Sequence, residues 1–309
     1  MTLPLFHVGC DISKATIDFV DNSNGTHKQI VNTRREIVKF LKPYRDKNVR
    51  FAFEATGYYG LELQASLSKA GLVPIMVNPL HARRFAQSRG HLAKTDRIDA
   101  AQLADMAKRF DLPPTKTFCQ AEQGLKSLIT RRDQLVDQRA SEKKRLHQTD
   151  MKPVIASLQR TIGQLNEEIE LFEVLIEQAI AAEPEFVQKS RLLQTVPGIA
   201  NATAPVFIAM LSELGHTNRR EIAALAGLAP FNRDSGTMRG HRSITGGRQR
   251  IRRALYMAAL AASRTKSKLG EKYRALRAAG KPAKVALIAI ARKIVTIINA
   301  ILKTGMAYQ

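Results

Sequence analysis

Near the N-terminus three short apolar runs follow one another with only turns between them, and helical patterns begin only after the third. Residues 5–11 and 16–21 read as strands, and the gap at 12–15 is long enough for a turn and nothing more. Residues 27–32 form a third strand after the turn sequence Asn22-Ser-Asn-Gly25. Thr33 then caps a helix to Tyr44, and 49–55 is a fourth, more apolar strand. A helix over 58–70 stops at Gly71, 73–77 is a fifth strand, and the chain is helical again from Pro79. Strands joined by tight turns pair antiparallel, whereas strands joined through helices pair parallel. The pattern therefore predicts an α/β domain over residues 1–115, a meander followed by crossover units, in which the first and fourth strands are neighbours.

Beyond this domain the periodicity changes. Leu158, Ile162, Leu165, Ile169, Phe172, Ile176 and Ala179 keep a strict 4-3-4-3 spacing, the seam of a coiled coil. Residues 116–183 thus form a coiled-coil helical arm, broken at Asp150-Met-Lys-Pro153. The seam fits an intramolecular antiparallel hairpin and a dimerising arm equally well. Residues 184–309 read as all-helical, with helices at 200–214, 221–227, 249–263 and 284–303 and a Gly- and Arg-rich loop at 231–247. Val196-Pro-Gly-Ile199 suits a helix-hairpin-helix that holds phosphate on its amides, or a plain turn between packed helices.

Charge points to the partner. The 309 residues hold 49 Lys and Arg against 27 Asp and Glu, a net charge of +22. Residues 183–309 alone carry 22 basic and 6 acidic side chains. Arg233, Arg239, Arg242, Arg248, Arg250, Arg252 and Arg253 crowd one segment that contains only Asp234 as an acid. Such crowding is costly in isolation and relieved by phosphate, so the expected partner is nucleic acid. Cys10 and Cys119 make no C-x-x-C and exclude a zinc site or a disulfide framework. No charged-then-apolar leader opens the chain, and Arg292 and Lys293 interrupt the apolar stretch 283–302. The expectation is a soluble, cytoplasmic protein with no membrane span.

Four acids lie where strands and a helix can bring them together. Asp11 ends the first strand and Glu54 the fourth; Asp96 and Asp99 open a helix running to about residue 110. Three residues apart on a helix is an offset of about 60°, so Asp96 and Asp99 share a face, while Asp105 falls about half a turn away. Singly these acids read as a turn residue, a helix cap or a surface ion-pair partner. Converged, they repel one another unless a cation sits between them, and Mg²⁺ is the hard cation that oxygen donors select. Two such ions about 4 Å apart are a common means of activating a phosphodiester.

Gly9-Cys-Asp11-Ile-Ser-Lys14, Glu54-Ala-Thr-Gly57, Lys94-Thr-Asp96-Arg-Ile-Asp99-Ala, Leu193-x-x-Val-Pro-Gly-Ile199 and Arg233-Asp-Ser235-Gly236 together resemble the DEDD transposases of the insertion sequence 110 family, relatives of pilin-gene invertases. The resemblance spans essentially the whole chain. It implies a ribonuclease-H-like (RuvC-like) N-terminal domain, the coiled-coil arm and an all-helical C-terminal transposase domain. It implies that Asp11, Glu54, Asp96 and Asp99 are catalytic and hold Mg²⁺, and that Ser235 is a nucleophile. It also implies donor and target DNA as substrates, a guide (bridge) RNA that pairs with both, and a dimer or tetramer with composite sites in a prokaryotic, nucleoid-associated setting. Arg233, Arg239, Arg242, Arg248, Arg252 and Lys94 are the candidate nucleic-acid contacts. A serine hydroxyl needs its proton removed or its oxyanion stabilised, and Asp234 is a weak base for that. A Mg²⁺-dependent RuvC-type junction nuclease, with Ser235 structural, is the nearest alternative; a basic nucleic-acid-packaging protein is the non-enzymatic one.

Overall fold

The computed structural model describes residues 5–55, 57–90, 95–115, 119–231 and 243–309, and the chain forms two compact units, 1–119 and 120–309.

In the first unit the strands are β1 (Phe6–Ile12), β2 (Thr16–Asp21), β3 (His27–Val31), β4 (Val49–Glu54) and β5 (Val73–Val77). Their order is β3-β2-β1-β4-β5, with β1 antiparallel to β2 and parallel to β4. The first and fourth strands are neighbours, as the meander-then-crossover pattern predicts. Helices α1 (Arg34–Leu41) and α2 (Leu61–Lys69) cover one face, where Ile37, Leu41, Leu63 and Leu67 pack on Val8, Ile17, Phe51 and Phe53. Helices α3 (Pro79–Ser88) and α4 (Asp96–Arg109) supply Ala82, Leu103, Met106 and Ala107 to a second cluster with Ala52, Ile75 and Val77. Each fully buried aromatic contributes about 1.5–3 kcal/mol through removal of apolar surface from water.

Two helix boundaries differ from the pattern. Helix α1 stops at Leu41 and tightens into a 3₁₀ turn, Lys42–Tyr44, because Pro43 has no N–H to continue an α-helix. Thr33 occupies the cap position with no side-chain capping bond. The helix expected from residue 58 starts at Leu61, after a 3₁₀ turn at Gly57–Gly60 in which Gly57 has φ +65°.

The second unit opens with α5 (Gln120–Leu146) and α6 (Lys152–Ala181), joined by a short turn. Arg139 donates to Asn166 at 2.8 Å and Arg132 lies 3.8 Å from Glu173, pairings that run antiparallel. The apolar seam of α6 is thus applied to α5 of the same chain. Leu125 and Ile129 of α5 and Ile176 of α6 join the core of the helices that follow. Those helices are α7 (Pro184–Gln194), α8 (Ala204–Met210), α9 (Arg219–Leu225), α10 (Gln249–Ser263), α11 (Lys268–Ala278) and α12 (Ala283–Thr304). A two-residue ladder of β6 (Pro230–Phe231) with β7 (Ser243–Ile244) brackets the loop between α9 and α10.

The helix expected at 200–214 is only seven residues long. The preceding Pro197-Gly198 turn packs against α10: Gly198 has φ +92°, and a Cβ on it would come within 2.1 Å of the Ala258 carbonyl oxygen. The turn is a packing joint between helices. Helices α7 and α11 were not apparent in the pattern, being short and only partly apolar. Helix α12 has the length and apolarity to cross a membrane, but half of it is buried in this unit, through Ile290, Ile294, Val295 and Ile298.

Candidate active site

Asp11 and Glu54 stand side by side. The parallel ladder pairs Cys10 with Phe53, so the next residues, Asp11 and Glu54, lie level on adjacent strands. Alternation puts Gly9 and Asp11 on the same face of the sheet, and that face receives α4. A Cβ on Gly9 would lie 1.8 Å from the Ala100 carbonyl oxygen and 2.7 Å from the Ala104 nitrogen. Only glycine permits this approach, which brings the first turn of α4 to the strand ends. Thr95 caps that helix, its side chain accepting from the Ile98 N–H at 3.3 Å. Asp96 and Asp99 sit in the first turn, where the helix dipole favours negative charge.

Asp11, Glu54, Asp96 and Asp99 line one cleft of about 760 Å³, with Arg83 and Gln87 of α3 also on its wall. Burial, and then the charges of Asp99, Asp96 and Glu54, push the Asp11 carboxyl up to about 6, against a lowering hydrogen bond from the Ile12 amide. Asp11 thus feels the charges of the other three acids. Among the described residues no three His, Cys, Asp or Glu side chains are drawn together tightly enough to enclose an ion by themselves. Mg²⁺ does not require that, since it keeps several waters and binds through one or two carboxylates plus substrate phosphate. The donor chemistry and the mutual repulsion of the acids fit such a cation.

Two supporting residues escaped the sequence reading. Asp18 is the cross-strand partner of Asp11 and is 3% exposed; its carboxylate lies 2.6 Å from His27 Nε2 and accepts from Gln29 at 2.9 Å. The alternation of Thr16-Ile-Asp-Phe-Val20 places Asp18 inward once the register is known. Asn32 donates from its side-chain amide to the Ser13 carbonyl at 2.8 Å and to the Tyr59 carbonyl at 3.1 Å. It thereby ties the turn after Asp11 to the turn after Glu54. Asp105 faces elsewhere, bonded to Arg109 at 2.9 Å and to Arg89.

Ser235, Arg233, Arg239, Arg242 and Lys94 lie outside the described residues. In the second unit, Asp234 is the one acid within the arginine-rich segment and lies outside the described residues, and acids remote in sequence pair with several of the arginines. Arg248 forks onto Glu213 at 2.6 Å through both terminal nitrogens and reaches the Met210 carbonyl at 3.0 Å. Arg250 donates to Asp133 at 2.6 Å, and Arg253 to Asp137 at 3.2 Å. Arg252 donates to the Gly246 carbonyl at 2.7 Å.

Comparison with known proteins agrees with this architecture. Residues 8–149 match a family model for a transposase of the DEDD type, and residues 190–274 match that of the Transposase IS116/IS110/IS902 family. The pilin gene-inverting proteins of Moraxella lacunata and Moraxella bovis are each 28% identical to the chain over 316 residues, covering 98% of it and 97% of their own length. An insertion element IS110 uncharacterized 43.6 kDa protein of Streptomyces coelicolor is 28% identical over 158 residues, 50% of this chain and 38% of its own. The first unit, with its mixed sheet, is a DEDD transposase domain of the ribonuclease-H-like superfamily. With the two matches together covering well over half of its residues, the chain belongs to the IS110 family of transposases, enzymes of DNA recombination.

Proposed function

We propose that the chain is the recombinase of an insertion sequence, guided by a bridge RNA, and that it cuts and rejoins DNA through a covalent phosphoserine at Ser235. The observation that carries this reading is the convergence of Asp11, Glu54, Asp96 and Asp99 on one cleft, where burial and then the other three acids push the Asp11 carboxyl up to about 6. Residues 1–115 act as the RuvC-like domain, 116–183 as the coiled-coil arm and 184–309 as the transposase domain bearing the serine. The acids would hold Mg²⁺, which when bound supplies Lewis-acid polarisation of a phosphoryl oxygen.

The chain's own residues do the rest. Ser235 Oγ forms a bond to phosphorus while the bond from phosphorus to a sugar oxygen breaks. The serine gives up one proton and the departing sugar oxygen takes one up. One phosphate ester replaces another, so the energy of the backbone is retained, and a hydroxyl from a second strand can reverse the step. Gly236 lets the backbone approach the phosphate. Arg233, Arg239, Arg242, Arg248, Arg252 and Lys94 bind strand phosphates, where a guanidinium can grip two oxygens at once. Base pairing by the RNA reads donor and target sequence, as in other guided systems. A dimer or tetramer joins the acids of one protomer to the serine of another, and the enzyme works on nucleoid DNA in the prokaryotic cytoplasm.

The experiment is a strand-cleavage and recombination assay with Mg²⁺, RNA from the element's end, and DNA bearing donor and target cores. Asp11→Asn, Glu54→Gln, Asp96→Asn and Asp99→Asn should each lower strand cleavage by about 10²–10³-fold while leaving DNA binding in place. Undiminished cleavage by Asp11→Asn would remove the cleft as the active site. RNA-independent cutting of junctions without rejoining would identify a RuvC-type nuclease instead.

A further inference from the structure

Arg83 stands on the wall of the acidic cleft, on the same strip of α3 as Pro79, Ala82, Ala86 and Gln87. Its side chain is exposed, and among the described residues no ion pair or side-chain hydrogen bond engages it. Nor does it count among the charges that bear on Asp11, which are all acidic. This is an unusual position for a guanidinium. Four carboxylates line the same cleft, yet the arginine pairs with none of them. By contrast, Arg89, one and a half turns further along, is bound to Asp105.

An arginine facing carboxylates across an open space is placed to share a ligand with them rather than to neutralise them. A ligand suited to both walls is anionic toward α3 and carries an oxygen-rich centre that a cation can bridge to the acids. A phosphodiester has that chemistry, and the planar fork of arginine matches its two non-bridging oxygens. Gln87 lies one turn beyond Arg83 on the same helix face, so its amide can serve the neighbouring sugar-phosphate unit.

We propose that Arg83, assisted by Gln87, grips the backbone of the DNA strand that enters the carboxylate cleft, fixing the phosphate to be cut against Asp11, Glu54, Asp96 and Asp99. This inference rests on the reading of the cleft as the strand-cleaving site and assigns its substrate wall. The contact is to backbone, so it is independent of sequence. The acids alone cannot retain a polyanion, and among the described residues lining the cleft Arg83 is the one that supplies a local attraction.

The test compares wild type, Arg83→Ala, Arg83→Lys and Gln87→Ala for binding to a labelled random-sequence DNA duplex over a range of salt, and for Mg²⁺-dependent cleavage of element-end DNA. Arg83→Ala should weaken binding by about tenfold, the scale of one charge-assisted hydrogen bond, and flatten the log-affinity against log-salt slope by about 0.9. Arg83→Lys should restore the slope but not the cleavage rate, because a point charge does not reproduce the fork. Gln87→Ala should leave the slope unchanged and reduce cleavage. Arg83 is exposed, so its variants should keep the wild-type Tm, which is measured alongside. Wild-type slope and cleavage in a folded Arg83→Ala protein would overturn the assignment while leaving the cleft's role intact. Absence of DNA binding or cleavage by wild type would overturn both.

Discussion

Gly9 of β1 meets Ala100 of α4 so closely that a methyl group on Gly9 would stand 1.8 Å from the Ala100 carbonyl oxygen. This contact sets the height of α4 above the sheet and hence the reach of Asp96 and Asp99 toward Asp11. The obstructing atoms are backbone, which cannot rotate aside. Gly9→Ala should therefore destabilise the first unit by about 3 kcal/mol, the upper range for overpacking, and lower its Tm by roughly 10 °C. Thermal unfolding followed by circular dichroism checks this. A Tm equal to that of wild type would mean the helix is not pinned there.

The Asp11 carboxyl should leave a mark on stability against pH. Its proton affinity is raised from 3.8 to about 6 in the folded state, by burial first and the neighbouring acids second. An acid shifted this way favours the fold below its unfolded value and loses that contribution as pH rises through the folded one. Wild type should accordingly lose stability between about pH 4 and pH 6. Asp11→Asn should be more stable than wild type at neutral pH by about 1–2 kcal/mol, a figure discounted for solvent screening of this partly buried group. Mg²⁺ should raise the Tm of wild type more than that of Asp11→Asn. Parallel stability curves for the two proteins would contradict the shift.

Asn32 bridges the turns that follow Asp11 and Glu54, and its two donors have no equivalent in a carboxylate. Asn32→Asp places acceptors against the Ser13 and Tyr59 carbonyls and should loosen both turns. Cleavage should fall by about 10–100-fold with DNA affinity unchanged, since small misplacements of reacting groups are costly. The separation of rate from affinity, measured by single-turnover cleavage and titration, distinguishes positioning from strand binding.

Arg248 and Arg252 should respond differently to truncation. Arg248 forks onto Glu213, so Arg248→Ala should cost about 1 kcal/mol of stability in the second unit, given that both side chains are partly solvent-exposed. Among the described residues Arg252 bonds only a carbonyl, that of Gly246. Arg252→Ala should therefore reduce the log-salt slope of nucleic-acid binding by about 1 with little change in Tm. An unchanged slope in both variants would remove this pair from the interface.

The acid set was legible because each member sits on a periodic element. The turn-only links among β1, β2 and β3 require a meander, the helical links to β4 and β5 require parallel addition, and these two rules place Asp11 beside Glu54. Helical spacing alone puts Asp96 and Asp99 on one face. What escaped depends on register or on contacts between distant residues. Asp18 became a neighbour of Asp11 only through the antiparallel register. The pairing of Arg250 with Asp133 spans 117 positions and turns an apparently uncompensated arginine cluster into a partly neutralised one. Arg83 gives no periodic signal, and only the placement of α3 reveals that it faces the acids. The short α8 reflects a Pro-Gly turn wedged against α10, a tertiary contact that local propensity does not encode.

The most direct test of the proposed chemistry is a search for a covalent protein–DNA adduct after incubation with Mg²⁺, element-end RNA and labelled DNA carrying donor and target cores. A protease-sensitive adduct on Ser235, absent from Ser235→Ala and from Asp11→Ala, is the predicted result. Strand cleavage with no adduct, persisting in Ser235→Ala, would contradict the account and make the cleft that of a metal-dependent nuclease.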